Sequence, residues 1–488
     1  MSLWLLALTT VEAAIAQTSQ PAARLAWRRD IAEGVEWAEL RHVGDAPVLL
    51  VCARDTSLFL LDARTGRLLL WEPIRIPGGV KAATELPVAI VAADQSGERA
   101  ATSRPGADAP TAPSREHMIY CYSRYSVHAI AVARRGPNGR LQAALKWQVG
   151  DAPSQPKLRQ ADPEFLTRII AAQAAPDGVL VARSDGRVAL LNERDGAPVW
   201  TVERGPMSLA RWHADGRTAA LIWKAGGEVR AEFFDASGAT KPTRSEHKPI
   251  GDAWPEWAVL YDGTLFVAWS DRFIARAANG FERAFELKID SPAKVATFAL
   301  LHPPGSVAGS QPAAAIPQPG LLYTDISGGV HRVDTATGET VWDMEPANGS
   351  KLPWSALRVF GESVLLLRED GWLIVDAAKG KLLGQRYLDP QRDDDLIEQN
   401  RFLAATLHDG FVVVLRSEDR KWTAPWGELL PVGSTRLVEK TALASGEPAK
   451  AIPVAAVRLP PIEWLDSFWV RDRLVLTERE GVRSFIIP

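Results

Sequence analysis

Apolar and polar residues alternate in short runs along most of this chain, and a new run begins about every ten residues. Such alternation places apolar side chains on one face of an extended strand and polar side chains on the other. The spacing of three to four residues that marks an amphipathic helix does not occur between the runs. The pattern therefore predicts an all-β protein.

One pattern of strand and turn occurs twice in nearly the same form. GRVALLNERDGAPVW (Gly186–Trp200) matches GGVHRVDTATGETVW (Gly328–Trp342) in its apolar positions, in the Asn or Asp four residues before a Gly, and in the final Trp. The Asn or Asp favours a tight turn, and the Gly can adopt a positive φ without steric cost. The pattern predicts a strand, a tight turn and a second strand that begins near the tryptophan.

Further copies of the turn lie at Asp62–Gly66, with Trp71 one place late, and at Asp376–Gly380, where Gly384 stands in place of the tryptophan. Four of the seven spacings between successive copies of the turn are 39 or 42 residues, and this basic period of about 42 leaves room for four strands in each repeat. Repeats of this kind are typical of propeller blades, so we expect a single closed propeller of four-stranded blades. Weaker copies end at Gly139, Gly238 and Gly280 and near Asp419.

Three stretches rich in Ala, Pro, Ser and Gly lengthen the repeat and are predicted to be loop insertions, at about 95–115, 302–320 and 433–461. No linker separates independent domains, so we expect residues 17–488 to form one propeller.

The two ends of the propeller are expected to meet in one blade. Leu25–Ile31 carries Trp27 but follows no turn of its own repeat, and the C-terminal hairpin at Gly481 has no Trp-bearing strand after it. Pairing Leu25–Ile31 with Arg473–Ile487 removes two free sheet edges at once. The N-terminal strand is therefore predicted to close the last blade.

Composition narrows the range of functions. Acidic residues (59) slightly outnumber basic ones (56), so the chain has no surplus of cations for nucleic-acid phosphates. The 18 tryptophans need many separate packing sites, which a repeat fold supplies blade by blade. After the N-terminal segment, no run approaches the roughly 20 apolar residues of a membrane-spanning helix.

The N-terminal segment has the pattern of a signal peptide. An apolar run, Leu3–Val11, is followed by Ala14-Ile15-Ala16, which predicts a signal peptide of residues 1–16 and cleavage before Gln17. No basic residue precedes the run and Glu12 follows it, so a short N-terminal helix is the alternative. Cleavage would export the protein to the periplasm or the cell exterior, and no cysteine follows the run to carry a lipid anchor there.

The two cysteines, Cys52 and Cys121, both lie in apolar strand-like runs. Two are too few for a framework of disulfides. Either they are small buried side chains in neighbouring strands, or they form one disulfide with each other.

The repeat of strand, Asp/Asn-x-x-x-Gly turn and Trp resembles that of the quinoprotein dehydrogenase-like propellers. The resemblance implies a ring of usually eight blades, whereas the hairpin-like units number nine, so we expect eight blades within a range of seven to nine. Some members use pyrroloquinoline quinone, and the alcohol dehydrogenases among them hold it over calcium beside two adjacent cysteines, which this chain lacks. Others bind no cofactor and act as binding platforms, as in the bacterial outer-membrane β-barrel assembly machinery.

Residues that could carry chemistry are scattered along the chain. No two of the eight histidines have the spacing of metal ligands, and His331 occupies an ordinary strand position. The acidic run Asp393–Asp395 is read as a solvated turn, with a calcium-binding loop as the alternative. We assign no catalytic, cofactor-binding or metal-binding residue. Three tryptophan pairs are read as packing between blades or as stacking platforms for sugars or peptides: Trp254 and Trp257, Trp422 and Trp426, Trp464 and Trp469.

These observations favour an exported, non-catalytic scaffold without a cofactor, which binds another protein or a component of the cell envelope. Two alternatives stay open. One is a quinone-dependent dehydrogenase with a different site, and the other is a carbohydrate-acting propeller enzyme with carboxylates from several blades.

Overall fold

The computed structural model describes residues 24–43, 46–75, 90–92, 116–135, 140–150, 168–215, 218–235, 247–261, 263–269, 271–277, 283–288, 295–301, 320–335, 337–345, 353–360, 362–387, 396–408, 411–423, 429–442, 453–459, 464–470 and 473–487. Within these ranges the chain forms strands and turns and no helix. The predicted signal peptide, the insertion at 95–115, nearly all of that at 302–320 and the run Asp393–Asp395 lie outside the described residues.

The described strands form nine antiparallel sheets of four strands, which we number as blades in chain order. Blades 1 to 3 contain β2–β5 (Val35–Val43, Ala46–Ala53, Ser57–Asp62, Ile74–Arg75), β6–β9 (Ile90–Ala92, His117–Tyr122, Val127–Arg135, Arg140–Val149) and β10–β13 (Ile169–Ala175, Gly178–Arg183, Arg187–Asn192, Pro198–Glu203). Blades 4 to 6 contain β14–β17 (Leu209–Asp215, Thr218–Ala225, Glu228–Asp235, Lys248–Gly251), β18–β21 (Trp257–Tyr261, Thr264–Trp269, Arg272–Ala277, Arg283–Lys288) and β22–β25 (Val295–Leu301, Gly320–Asp325, Val330–Asp334, Thr340–Met344). Blades 7 to 9 contain β26–β29 (Ala356–Phe360, Ser363–Arg368, Gly371–Asp376, Leu382–Tyr387), β30–β33 (Leu396–His408, Phe411–Thr423, Leu429–Ala442, Pro453–Leu459) and β34, β35, β36 with β1 (Trp464–Val470, Arg473–Glu478, Gly481–Ile486, Arg24–Asp30).

The middle strands of the blades bury both of their faces. In β15, Leu221 and Trp223 pack against blade 3, while Ala220 and Ile222 pack against blade 5. Buried apolar clusters of this kind join every pair of neighbouring blades, including blades 9 and 1. The ring is therefore closed, which confirms the all-β propeller. Among the described residues it has nine blades, the upper end of the expected range and one more than the eight implied by the resemblance.

The first strands of neighbouring blades contact one another, as β10 does with β14 and β14 with β18, so they surround the centre of the ring. The fourth strands form the outer rim. The ring is closed there as predicted, because β1 pairs with β36 from Arg24 opposite Ile486 to Asp30 opposite Gly481.

The repeated turn forms as its sequence indicates. In Asp62–Gly66 the Gly66 amide donates to the Asp62 carbonyl over 2.8 Å, and the Asp62 carboxylate accepts from the Arg64 amide at 2.9 Å. Asp376–Gly380 repeats the same bonds at 2.9 and 2.8 Å. Gly66 and Gly380 have φ of 69° and 66°, in the region where a side chain is disfavoured.

Each of these glycines also receives a tryptophan from the outer strand of the preceding blade. A Cβ on Gly380 would lie 2.6 Å from the Trp342 ring, and one on Gly66 would lie 2.5 Å from the Trp27 ring. The Trp342 Nε1 donates to the Ala377 carbonyl in the same turn over 3.2 Å. The turn glycine thus serves two purposes, a left-handed backbone and a docking surface for the neighbouring blade.

The repeat tryptophans lie between blades as predicted. Trp200 is 5% exposed and stacks on Phe234 of the next blade at 5.7 Å. Trp342 is partly buried against the core between blades 6 and 7. Trp147 packs on the turn glycine Gly196 in the way that Trp342 packs on Gly380, although the sequence pattern did not identify Trp147 as a repeat tryptophan.

Two expectations about blade 8 are wrong. Residues assigned to an insertion at 433–461 lie mostly in the strands Leu429–Ala442 and Pro453–Leu459. Asp419, assigned to a turn, lies inside a strand opposite Gln399 and Ser434. Pro431 and Gly433 fall at a register irregularity between β31 and β32, and a strand tolerates both residue types at such a bulge.

Candidate functional site

The two faces of the ring differ in their loops. One face carries the hairpins between second and third strands together with the connectors between blades, and we call it the connector face. Its loops are fixed by a recurring backbone bond from the first strand of one blade to the hairpin of the preceding blade. Ile169 N donates to Arg124 O at 2.7 Å, Phe402 N to Glu369 O at 2.8 Å, and Val35 N to Arg479 O at 2.8 Å.

A serine–histidine network lies beneath this face in blade 2. The Ser126 hydroxyl is 2.9 Å from His128 Nε2 and 3.0 Å from the Ser123 hydroxyl. Burial lowers the pKa of His128 to about 4, so its ring is neutral at neutral pH. A hydroxyl beside a neutral imidazole can act as a nucleophile with its base. Here Ser126 and His128 are both 0% exposed, so the pair orders a hairpin that no substrate reaches.

His331 bridges two carboxylates in blade 6. Its Nδ1 is 2.8 Å from an Asp343 oxygen, and its Nε2 is 3.1 Å from an Asp325 oxygen. The ring stacks on Tyr323 at 4.6 Å, and the other Asp325 oxygen accepts from two hairpin amides, of Ser327 and Gly329. These contacts tie the outer strand to the hairpin. No group of three or more potential metal ligands occurs in the part of the chain that the structure describes.

Two buried arginines hold connectors in place. Arg204, between blades 3 and 4, makes a two-pronged ion pair with Glu232, which is 1% exposed. Arg368 is also 1% exposed and lies between the rings of Trp354 and Tyr387, at 4.6 and 5.1 Å from their centroids. Its Nε is 2.5 Å from a carboxylate oxygen of Asp370. Pairing offsets the cost of burying these charges, and the contacts fix the positions of the loops that they join on the connector face.

Three tryptophans of the predicted pairs have described side chains, and all three pack between blades. Trp254, Trp257 and Trp469 are each partly buried against the core between two blades, which favours packing over ligand stacking. Trp422 and Trp464 lie in strands β31 and β34, and Trp426 lies outside the described residues.

The cysteines are both free and buried, in neighbouring blades 1 and 2. Burial raises the pKa of Cys52 to about 12, and it raises that of Cys121 further still. Both thiols are therefore protonated and unreactive at neutral pH. This agrees with small buried side chains in neighbouring sheets and not with a disulfide.

A surface on the outer rim combines exposed apolar side chains. Trp71 is 95% exposed, and Leu145 and Leu25 are 44% and 50% exposed. They lie at the outer edges of blades 1, 2 and 9, three neighbours in the ring. We call these three residues the rim surface.

The exposure of Trp71 contradicts its assignment as a repeat tryptophan, and its position one place late explains why. Leu69 and Leu70 are both buried between blades 1 and 2, and the chain bends over residues 69–72, which leaves Trp71 on the surface. The segment runs parallel to β9, with Arg67 Nη2 donating to Leu141 O at 2.6 Å and Ala143 N to Leu69 O at 2.9 Å.

Blade 8 carries a second unusual feature. In blades 1 and 3 the first strand begins at the residue bonded to the preceding hairpin, Val35 or Ile169, and a register irregularity follows at once. Phe402 has the same bond and the same irregularity, yet six residues of β30 precede it. These six residues pair with Ser417–Trp422 of β31. On its other side, β31 pairs through Thr423 with Leu429–Thr435 of β32, so three strands continue beyond the connector face. We call residues 396–401, 417–423 and 429–435 the extension.

Comparison with known proteins finds likeness in structure only. No family model and no curated protein matches the chain. BamB from Moraxella catarrhalis is 15% identical over 81% of this chain and 94% of its own, with a TM-score of 0.41. The computationally designed Ika8 protein is 11% identical over 96% and 100%, with a TM-score of 0.46, and the C-terminal WD40 domain of Sif2 is 9% identical over 76% and 92%, with a TM-score of 0.40. Within the described ranges, no helix has the length and apolar character to cross a bilayer.

Proposed function

We propose that this protein is an exported, non-catalytic scaffold that binds another protein through the outer rim of its propeller. The observation that carries the proposal is the rim surface. Exposed tryptophan is among the residues that contribute most to protein interfaces, and it is unusual to find it without a packing role. Trp71 lies on blade 1, and Leu145 and Leu25 lie on the two neighbouring blades, 2 and 9.

The inner parts of the ring support a rigid frame for such a surface. Apolar clusters join every pair of neighbouring blades, and beneath the connector face the buried charges of Glu232 and Arg368 are each paired with an opposite charge. A surface on a closed ring keeps its geometry, so binding costs little ordering of the backbone. Export rests on the N-terminal pattern of residues 1–16, which precedes the described chain.

The test is a pair of matched variants, Trp71→Glu and Val341→Glu. Val341 is 48% exposed on the outer strand of blade 6, far along the ring from blade 1, and so controls for a new charge on an exposed apolar rim position. A photoreactive residue at Leu145 should crosslink to a protein partner in the native cells. The yield should fall roughly tenfold or more with Trp71→Glu, as expected when an interface loses a central tryptophan, and should be unchanged with Val341→Glu.

Two results would contradict the proposal. Equal crosslinking in both variants would remove the rim surface as the binding site. Dye reduction by the purified protein with pyrroloquinoline quinone and calcium, in the presence of alcohols or sugars, would establish an enzyme in place of a scaffold.

A further inference from the structure

The outer parts of the three blades that carry the rim surface are strongly basic. Segments 24–30, 67–75 and 140–149 of blades 9, 1 and 2 contain seven basic and two acidic residues, although acidic residues outnumber basic ones in the whole chain. The outer strands of the other six blades together hold only five basic and three acidic residues. We call these three segments the basic rim. Its basic residues are Arg24, Arg28, Arg29, Arg67, Arg75, Arg140 and Lys146.

Contacts between the blades join the basic rim into one surface. Arg29 of blade 9 donates from Nη2 to the Gly66 carbonyl of blade 1 at 3.2 Å. The next residue in blade 1, Arg67, donates to the Leu141 carbonyl of blade 2 at 2.6 Å, and Arg140 is the chain neighbour of Leu141. The charges of the three segments therefore act on the same region of solvent.

Only part of this charge is neutralised by nearby acids. Asp30 pairs with Arg28 at 2.5 Å, and Glu116 lies 3.5 Å from Lys146. Five segments outside the described residues adjoin the basic rim in the chain: 17–23, 76–89, 93–115, 136–139 and 151–167. Together they hold seven acidic and six basic residues, so their charges almost cancel and leave the basic surplus in place.

Two of the cations are open to a ligand. Arg24 and Arg140 are exposed, and no ion pair of either is found within the described ranges. Arg24 precedes Leu25 in β1, and Arg140 lies in the same strand as Leu145, so unpaired cations accompany the apolar side chains of the rim surface. Apolar anchors give an interface its affinity, while an arginine can bind a carboxylate through two N–H groups.

We propose that the rim surface and the basic rim together bind an acidic segment of a partner protein. Apolar side chains of that segment pack on Trp71 and Leu145, and its aspartates and glutamates face the cations of the basic rim. The inference rests on the proposed function, which has a protein bind at this rim, and it adds the chemistry of that protein. Opposite charge also speeds the encounter of the two surfaces and selects against basic partners.

An anionic membrane has similar chemistry, but the position of Glu72 favours a protein. Glu72 is exposed and directly follows Trp71, on the middle blade of the three. A layer of anionic headgroups that received the tryptophan would also meet this carboxylate and repel it. A protein segment can present a neutral or basic side chain at this one point and acidic side chains elsewhere.

The first experiment determines the charge of the partner segment directly. A photoreactive residue at Leu145 of the full chain is activated in the native cells, and mass spectrometry locates the crosslinked residue in the partner. The stretch of about six residues on each side of that site, roughly 20 Å of extended chain, should carry a net negative charge. A neutral or basic stretch would overturn the inference.

Charge reversal tests the basic rim against a matched control. The double variant Arg24→Glu, Arg140→Glu should lower the crosslinking yield roughly fivefold or more, because repulsion replaces two exposed ion pairs. Lys379→Glu with Lys381→Glu makes the same change of net charge at exposed positions of blade 7, which blade 8 separates from the basic rim, and should leave the yield unchanged. Equal melting temperatures of the two double variants check that both fold.

The outcomes separate this inference from the proposed function. A yield that falls with Trp71→Glu but not with the reversal of Arg24 and Arg140 would overturn the acidic partner and leave the rim-binding scaffold standing. Co-sedimentation of the purified protein with phosphatidylglycerol vesicles, if Trp71→Glu abolishes it, would replace the acidic segment by a membrane surface. The absence of any crosslink from Leu145 would overturn both proposals.

Discussion

At the scale of single residues, the contact between a tryptophan and a turn glycine is the unit that joins one blade to the next. Trp27, Trp147 and Trp342 each lie on an outer strand and pack on the turn glycine of the following blade. The contact needs both partners, because a side chain on the glycine would occupy the position of the indole ring. Trp71 lies one residue later in its repeat than these tryptophans. Its side chain does not pack between blades and is exposed to solvent.

This contact makes a direct prediction. Trp342→Ala should lower the free energy of unfolding by about 3–5 kcal/mol, because it leaves a cavity between blades 6 and 7. Trp71→Ala should change it by about 0.5 kcal/mol or less, since this side chain is 95% exposed. Denaturant unfolding of the two variants measures the difference, and equal losses would show that the interpretation of the repeat is wrong.

Buried histidine predicts a pH dependence. The folded pKa of His128 is about 4, below the value of about 6.5 in an unfolded chain. Above pH 6.5 neither state binds the proton, so the group has no effect. As the pH falls from about 6.5 toward 4, only the unfolded state takes up the proton, and stability decreases by about 1.4 kcal/mol per pH unit.

His128→Gln removes this titration and leaves a side chain that can still reach Ser126. Between pH 6.5 and 5, the native protein should therefore lose about 2 kcal/mol more than the variant. His213, whose pKa burial also lowers to about 4, contributes equally to both proteins and cancels in the comparison. Parallel pH profiles for the two proteins would mean that His128 does not stay neutral in the fold.

At the scale of the strand, each blade is a separate four-stranded sheet, and the ring depends on every sheet being complete. Blade 9 is assembled from both ends of the chain, with β1 beside β36 and Ile31 N bonded to Glu480 O at 2.9 Å. In blade 8, by contrast, three strands extend beyond the connector face, while its buried contacts with blades 7 and 9 are kept.

Removal of residues 17–31 should destabilise the whole ring, since it opens the pairing of β1 with β36 and takes Trp27 away from Gly66. We expect a lower melting temperature and a broader transition in calorimetry. Deletion of residues 305–317, within a predicted insertion outside the described residues, is the control. It should change the melting temperature little, because the entropy of loop closure depends only weakly on loop length.

At the scale of the whole molecule, the described residues form a closed ring of nine blades with an outer rim, two faces and a centre. The rim surface spans blades 9, 1 and 2, whereas the extension rises from blade 8.

Export concerns the whole molecule and can be tested directly. The protein isolated from the native cells should begin at Gln17, with residues 1–16 removed, and should be found outside the cytoplasm. N-terminal sequencing after cell fractionation provides the measurement. An intact N-terminus on cytoplasmic protein would contradict export and, with it, that part of the proposed function.

The sequence by itself determined the class of fold, the turns and the closure of the ring. Alternation along a strand and the Asp62–Gly66 turn depend on neighbours in the chain, so local chemistry decides them. The pairing of Leu25–Ile31 with the C-terminal hairpin could be predicted because an unpaired sheet edge at the seam is unfavourable, whichever ring it belongs to.

The tertiary structure alone decided the number of blades, the exposure of Trp71 and the extension of blade 8. Blade number depends on how side chains from neighbouring sheets fit together around the ring, which no single repeat encodes. Trp71 is exposed because its segment packs on the outer strand of another blade. The stretch Leu429–Ala442, which contains Pro431 and Gly433, forms a strand because thirteen residues of β31 pair with it, and this pairing overrides the local preference for a loop.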